Sequence, residues 1–156
     1  MNPEYALNSI KYYLIANINS VVDTVETEAS ASTNAPTIES FKIGSYLPTE
    51  LDEFPAVLIK AQKTSDKQDD YEHQERRLNF EIQVWCVNID ADELQRFICR
   101  YTEAVVRVLR NENNWKNSLH SPKIGDATIS DLFEVDHGLA QGSQILGSID
   151  YIISNY

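Results

Sequence analysis

Between Leu78 and Arg110 the hydrophobic period changes once, and that change constrains the fold more than any other feature of the chain. In Leu78-Asn-Phe-Glu-Ile-Gln-Val-Trp-Cys-Val-Asn-Ile89, Phe80, Ile82, Val84 and Cys86 recur at period two among β-branched and aromatic neighbours, the pattern of a central strand. Beyond Asp90 the spacing becomes helical. Leu94, Phe97, Ile98, Tyr101, Val105, Val108 and Leu109 return every three or four residues and form one stripe to be buried, most simply against the preceding strand. Asp90, with Glu93 three residues on, is a capping-box-like start in which each side chain can satisfy an orphan helix amide.

The rest of the chain is arranged around this unit. Pro3 suits the first turn of a helix capped by Asn2, and Leu7, Ile10, Leu14, Ile18, Val21 and Val25 mark a long amphipathic N-terminal helix expected to pack on its own subunit. Residues 27–40 are small, polar and aperiodic and read as a flexible linker or loop. Phe41-Lys-Ile43 reads as a short edge strand, and residues 47–55 as a turn-rich approach to the sheet. Ala56-Val-Leu-Ile59 is apolar at every position, as expected of a strand covered on both faces.

Residues 64–74 are polar and charged, which predicts a projecting hairpin tip with Arg76 and Arg77 at its base. After the central helix, residues 111–122 form a loop rich in turn formers, with Trp115 and Leu119 folded back onto the core. Two strands are expected at 127–135 and 143–154, joined by a glycine-bearing hairpin connection at 136–142. The expectation is an α+β fold in the order α-β-β-α-β-β: a small, mostly antiparallel sheet of about four strands with the two helices.

With 156 residues the chain fits one domain with one core, residues 1–156. Twenty-four acidic against 13 basic side chains give a net charge of −11, which disfavours a surface built to grip nucleic acid, because duplex affinity comes mostly from Lys and Arg on phosphates. A surface that DNA must pass without sticking tolerates such a charge well. Met1-Asn-Pro-Glu-Tyr lacks the pattern of a signal peptide and no apolar run approaches a membrane span, so a reducing cytoplasm is expected. Cys86 and Cys99 then read as small buried hydrophobes.

No constellation carries a reaction. His73 stands among Asp69, Asp70, Glu72 and Glu75, residue types that can bind a divalent cation, but a solvated tip lacks the fixed geometry and supporting shell of a metal site. His120 and His137 lie in loops near Ser143, Ser148 and Asp150, without the Gly-x-Ser-x-Gly elbow that exposes a nucleophile, so the serines read as solvent-facing strand residues. Gly44 is isolated and makes no phosphate loop. Catalytic, cofactor-binding and metal residues are therefore all assigned as none, and no cofactor is expected.

The arrangement Phe54-Pro-Ala-Val-Leu-Ile59, a charged hairpin, Arg77-Leu-Asn-Phe-Glu-Ile-Gln-Val-Trp85, Asp92-Glu-Leu and Tyr101-Thr-Glu-Ala-Val-Val-Arg-Val-Leu-Arg110 resembles the tail-completion or tail-terminator proteins of long-tailed bacteriophages. The resemblance runs from about Phe54 to Tyr156, while the 27–40 segment and the acidic tip lie outside it. It implies a structural protein forming a homo-oligomeric ring, usually hexameric, that caps the tail tube, ends its polymerisation and offers a surface to the head-neck connector. DNA would pass through without specific binding, and the protein would reside at the tail-neck junction of the virion after assembly in the host cytoplasm. A ring needs a heterologous contact that repeats until it closes, for which projecting hairpins and open strand edges are suitable parts. The interface residues expected are Asp66, Asp69, Asp70, Tyr71, Glu72 and His73, touching the tube or a neighbouring subunit, with Arg76 and Arg77 pairing to an adjacent acidic surface. Alternative readings are a head-to-tail stopper or neck adaptor of the same particle and, from a different class, a small metal-dependent enzyme.

Overall fold

The computed structural model describes residues 2–67, 74–111, 115, 120, 122–136 and 138–153. Helix α1 spans Pro3–Glu28, with Asn2 as the cap whose side chain accepts the Tyr5 N–H at 2.9 Å. Its buried stripe is Ala6, Ile10, Leu14, Ile18, Val22 and Val25, so Val22 takes the core position expected of Val21. Helix α2 spans Ala91–Arg110. The Asp90 carboxylate accepts the N–H groups of Asp92 and Glu93 at 2.9 and 3.1 Å, but Glu93 turns to accept from the Asn88 amide at 3.2 Å and does not close the box.

Strands β1 (Ser40–Ile43), β2 (Ala56–Lys67), β3 (Gln74–Asn88), β4 (Lys123–Ile129), β5 (Phe133–Val135) and β6 (Gly138–Ile153) form one six-stranded sheet in the order β1-β2-β3-β6-β4, with β5 also paired to β6. β1 runs parallel to β2 and every other pair is antiparallel. The α+β class is as expected, but the sheet has six strands instead of about four, and three strands, not two, flank α2 on either side. The strand expected at 127–135 is two. At the break, Ser130 donates its N–H to the Gly142 carbonyl at 2.9 Å and accepts the Gly142 N–H on its hydroxyl at 3.0 Å, which takes the chain off the ladder.

The expected glycine connection at 136–142 is mostly strand. Only Gly138, at φ +145°, serves the turn into β6, whereas Gly142 lies mid-strand because the Trp85 ring occupies the space of a side chain there.

Both helices pack on one face of the sheet, α1 over β1 and β2, α2 over β3, β6 and β4. That face supplies Val57, Ile59, Leu78, Phe80, Ile82, Val84, Ile145, Ile149 and Tyr151 to the main core. The link between β1 and β2 crosses the other face, where Leu51 and Phe54 cover Ala56, Leu58 and part of Trp85; the Ala56–Ile59 run is thus covered on both sides. Trp115 is buried as expected, donating its indole N–H to the Leu109 carbonyl at 3.0 Å and meeting Tyr13 edge-on, while Leu119 lies outside the described residues.

Beyond the end of α1, the aperiodic segment as far as Glu39 holds no strand and is tied to both helices by side chains. Glu26, buried at the end of α1, accepts the Ala35 N–H at 2.5 Å and Arg100 at 3.3 Å, and Arg100 also donates to the Thr33 carbonyl at 2.7 Å. The Tyr101 hydroxyl donates to the Pro36 carbonyl at 2.6 Å, and the Asn19 amide holds both backbone groups of Ile38 at 2.9 and 3.0 Å. Backbone groups between Thr33 and Ile38 thereby find side-chain partners where there is no secondary structure to pair them.

Cys86 is buried in the sheet, whereas Cys99 is exposed, because position 99 falls outside the α2 stripe of Leu94, Ile98, Tyr101 and Val105. Burial pushes the Cys86 thiol up to about 11. A thiol held neutral in the fold contributes stability that is lost as pH rises past its unfolded value toward 11. Native protein at pH 8 is expected to release about one equivalent of thionitrobenzoate from an aromatic disulfide reagent within minutes, and the second only in denaturant. Two fast equivalents would show Cys86 to be reachable.

Candidate functional site

The residues expected at an interface begin where β2, β3 and β6 run on together as a three-stranded arm, β6 staying paired to β3 as far as Gln74. Asp66 and Arg76 face each other across β2 and β3 and pair at 2.6 Å. Arg77 and Asp150 face each other across β3 and β6 and make a two-pronged pair at 2.7 and 3.1 Å. The bond to each carboxylate pushes both guanidinium groups further up. Glu75 and His120 meet at 3.1 Å. The base of the arm is thus cross-braced by ion pairs within the chain, and both arginines have carboxylate partners in their own subunit. Asp69, Asp70, Tyr71, Glu72 and His73 lie outside the described residues, as does His137.

The open face of the sheet carries a polar ladder that the sequence reading passed over. Glu81, Gln83 and Trp85 alternate with the core residues of β3, the Trp85 indole donates to Gln83 at 3.0 Å, and the buried Glu81 carboxylate accepts from Gln62 at 2.9 Å and from Gln83. Trp85 lies over Gly142 and meets Phe133 edge-on. A hollow of about 220 Å³ beside it is lined by Gln83, Trp85, Thr128, Ser130, Gly142 and Gln144. A second, of about 400 Å³, opens under Tyr46 and Leu47 against Leu58, Lys60 and Gln83. The period-two polar residues of β3 were the available signal for this face.

Among the described residues, the candidate reactive side chains are not brought together: His120 touches Asp150 through its backbone, donating its N–H to the Asp150 carbonyl at 3.1 Å, and its ring lies against Glu75. Ser143 is buried toward α2, hydrogen-bonded to the Thr102 hydroxyl at 2.8 Å, and so does not face solvent as expected. Asp150 points to the opposite face of β6 and is held by Arg77. No three His, Cys, Asp or Glu of the described residues are grouped to hold a metal ion, and no described helix is long and apolar enough to cross a membrane.

Charge is unevenly spread. Asp52 and Glu53 before β2, Asp90, Asp92 and Glu93 at the start of α2, and Asp131, Glu134 and Asp136 around β5 all gather at the end of the sheet where Ala56 meets Trp85 and Asn88 meets Leu139.

No protein-family model and no curated protein matches the chain. Among solved structures it aligns with a chain described as the virion of a native gene transfer agent particle, with a TM-score of 0.47 and 8% identity over 88% of this chain and 93% of that one.

Proposed function

We propose that this chain is a structural virion protein that forms a ring on the end of a phage tail tube, ends tube polymerisation and presents the surface to which the head-neck connector attaches. The observation that carries the reading is how the stretches resembling tail terminators are laid out: Phe54–Pro55 leads into β2, the hairpin into β3, and β3 directly into α2, as one contiguous unit. The ring is usually hexameric in the resembled family, and the tip from Asp66 to His73 is the contact element toward the tube or the next subunit. The braced arm supports this, because ion pairs on both sides of β3 hold the base of the tip in place. The acidic end of the sheet fits a protein that DNA slides past, since phosphates approaching it meet repulsion. The site of action is then the tail-neck junction of the virion, reached by assembly in the host cytoplasm, and no turnover is required of the chain.

Electron microscopy of the purified protein, alone and mixed with tail-tube protein, tests the reading. Rings are expected alone, and tubes closed at one end and arrested in length are expected in the mixture. Rings that bind connector but leave tubes growing would transfer the assignment to a neck stopper or adaptor. A solitary molecule indifferent to tubes would overturn it.

A further inference from the structure

The sheet ends on β1 at one side and β4 at the other, and each end strand turns one row of backbone N–H and C=O groups away from the sheet. β4 is exposed along nearly its whole length and contains no proline. We propose that β1 of one copy adds antiparallel to β4 of the next, with Lys42 opposite Asp126, so that the sheets of successive copies run on into one another. The proposal deepens the ring reading and rests on it.

Direction comes first. β1 runs with β2, β2 against β3, β3 against β6 and β6 against β4, so β1 and β4 point opposite ways within one sheet. A neighbour related by rotation about an axis along the strands keeps its own strand directions and therefore offers β1 antiparallel to β4.

Register follows from which side chains share a face. Through β2, β3 and β6, Lys42 and Ser40 belong to the open-face rows, and Phe41 to the helix side with Val57. On β4, Thr128 lies in the open-face row of Gln144, and Ala127 lies on the helix side with Ile145. The bulge between Ile124 and Ala127 sets two residues, Gly125 and Asp126, against Leu146 alone and leaves Asp126 on the open face. Placing Lys42 opposite Asp126 then puts Phe41 opposite Ala127 and Ser40 opposite Thr128. Two of these pairs are complementary, opposite charges and a large ring over a small side chain, while Ser40, buried in its own subunit, sets only a small side chain beside Thr128. A shift of two residues sets Lys42 against Thr128 and loses the charge match.

Electrostatics selects a second copy as the occupant. In a chain of net charge −11 most surfaces repel their own kind, but each edge is neutral, Glu39 with Lys42 on one side and Lys123 with Asp126 on the other. Exposed apolar side chains flank both edges, Tyr46 and Leu47 beside β1, Ile129, Leu132 and Leu146 beside β4, and the seam would cover them. In such a ring the strand ends form the rims, and the acidic end of the sheet becomes one of them.

Charge reversal tests the contact. Lys42→Glu and Asp126→Lys are each expected to shift the ring-to-monomer midpoint by about tenfold or more in sedimentation velocity, because the defect repeats at every seam, with unchanged circular dichroism. The double variant should restore the ring. So should an equimolar mixture of the two single variants. When the two alternate around the ring, each seam pairs either the introduced carboxylate with the introduced amine or the native Lys42 with the native Asp126. Rings unaffected by either single change, or lost without rescue by swap or mixture, overturn the contact while leaving the ring reading standing. A wild-type chain that stays monomeric overturns both.

Discussion

Replacing Glu26 with alanine is expected to lower stability by about 3–5 kcal/mol, a large part of what a domain of this size has. The carboxylate is buried against Arg100, itself only 13% exposed, and also accepts the Ala35 N–H. Alanine would leave the Ala35 N–H without its acceptor and the Arg100 guanidinium without its counter-charge, held only by the Thr33 carbonyl, and breaking a buried pair on one side costs more than the pair contributes. The strap between α1 and β1 would lose a fastening at the same time. Glu26→Gln keeps an oxygen for Ala35 but removes the charge facing Arg100, so a smaller loss is expected. Glu28, two residues on, makes an exposed two-pronged pair with Arg107 at 2.8 and 3.0 Å, and Glu28→Ala should barely move the transition. Urea melts followed by circular dichroism check this. Equal midpoints for Glu26→Ala and Glu28→Ala would show that the strap contributes nothing.

What could be read from the sequence was what local periodicity encodes. The switch at Asp90 appears as β3 followed by α2, and Phe80, Ile82, Val84, Leu94, Phe97, Ile98, Tyr101, Val105, Val108 and Leu109 are all buried. Pairing across long separations left no local trace. The parallel β1–β2 pair and the split of β4 from β5 depend on partners far along the chain, and the contacts that fix residues 33–38 come from Asn19, Glu26, Arg100 and Tyr101. At the candidate site Arg76, Arg77 and Asp66 stood out as charges, but the pairing of the arginines with Asp66 and Asp150 did not, because it is set by register. Gly142 misled for a related reason. Glycine marks a turn or a close approach equally well, and only the position of the Trp85 ring decides between them.

The same ambiguity makes glycine substitutions informative, since Gly→Ala in a strand is ordinarily neutral or stabilising through the unfolded chain. Gly147→Ala is expected to destabilise by about 2–3 kcal/mol, and Gly142→Ala by less. A Cβ at Gly147 would lie 2.5 Å from Cζ of Phe80 and 3.2 Å from the Lys123 carbonyl oxygen. Phe80 is fully buried in the main core, so its ring cannot withdraw without displacing its neighbours. A Cβ at Gly142 would come as close to Trp85, at 2.6 Å, but that indole is half-buried on the open face and can swing toward solvent, giving up its bond to Gln83 and its edge contact with Phe133. The two clashes are alike in distance and differ in whether the neighbour can move. A double-mutant cycle separates them: Phe80→Leu costs stability alone, but in the Gly147→Ala background it removes the obstructing ring, so the pair should be less destabilised than the sum by about 1 kcal/mol or more. Strict additivity would mean that the ring is not what keeps position 147 a glycine.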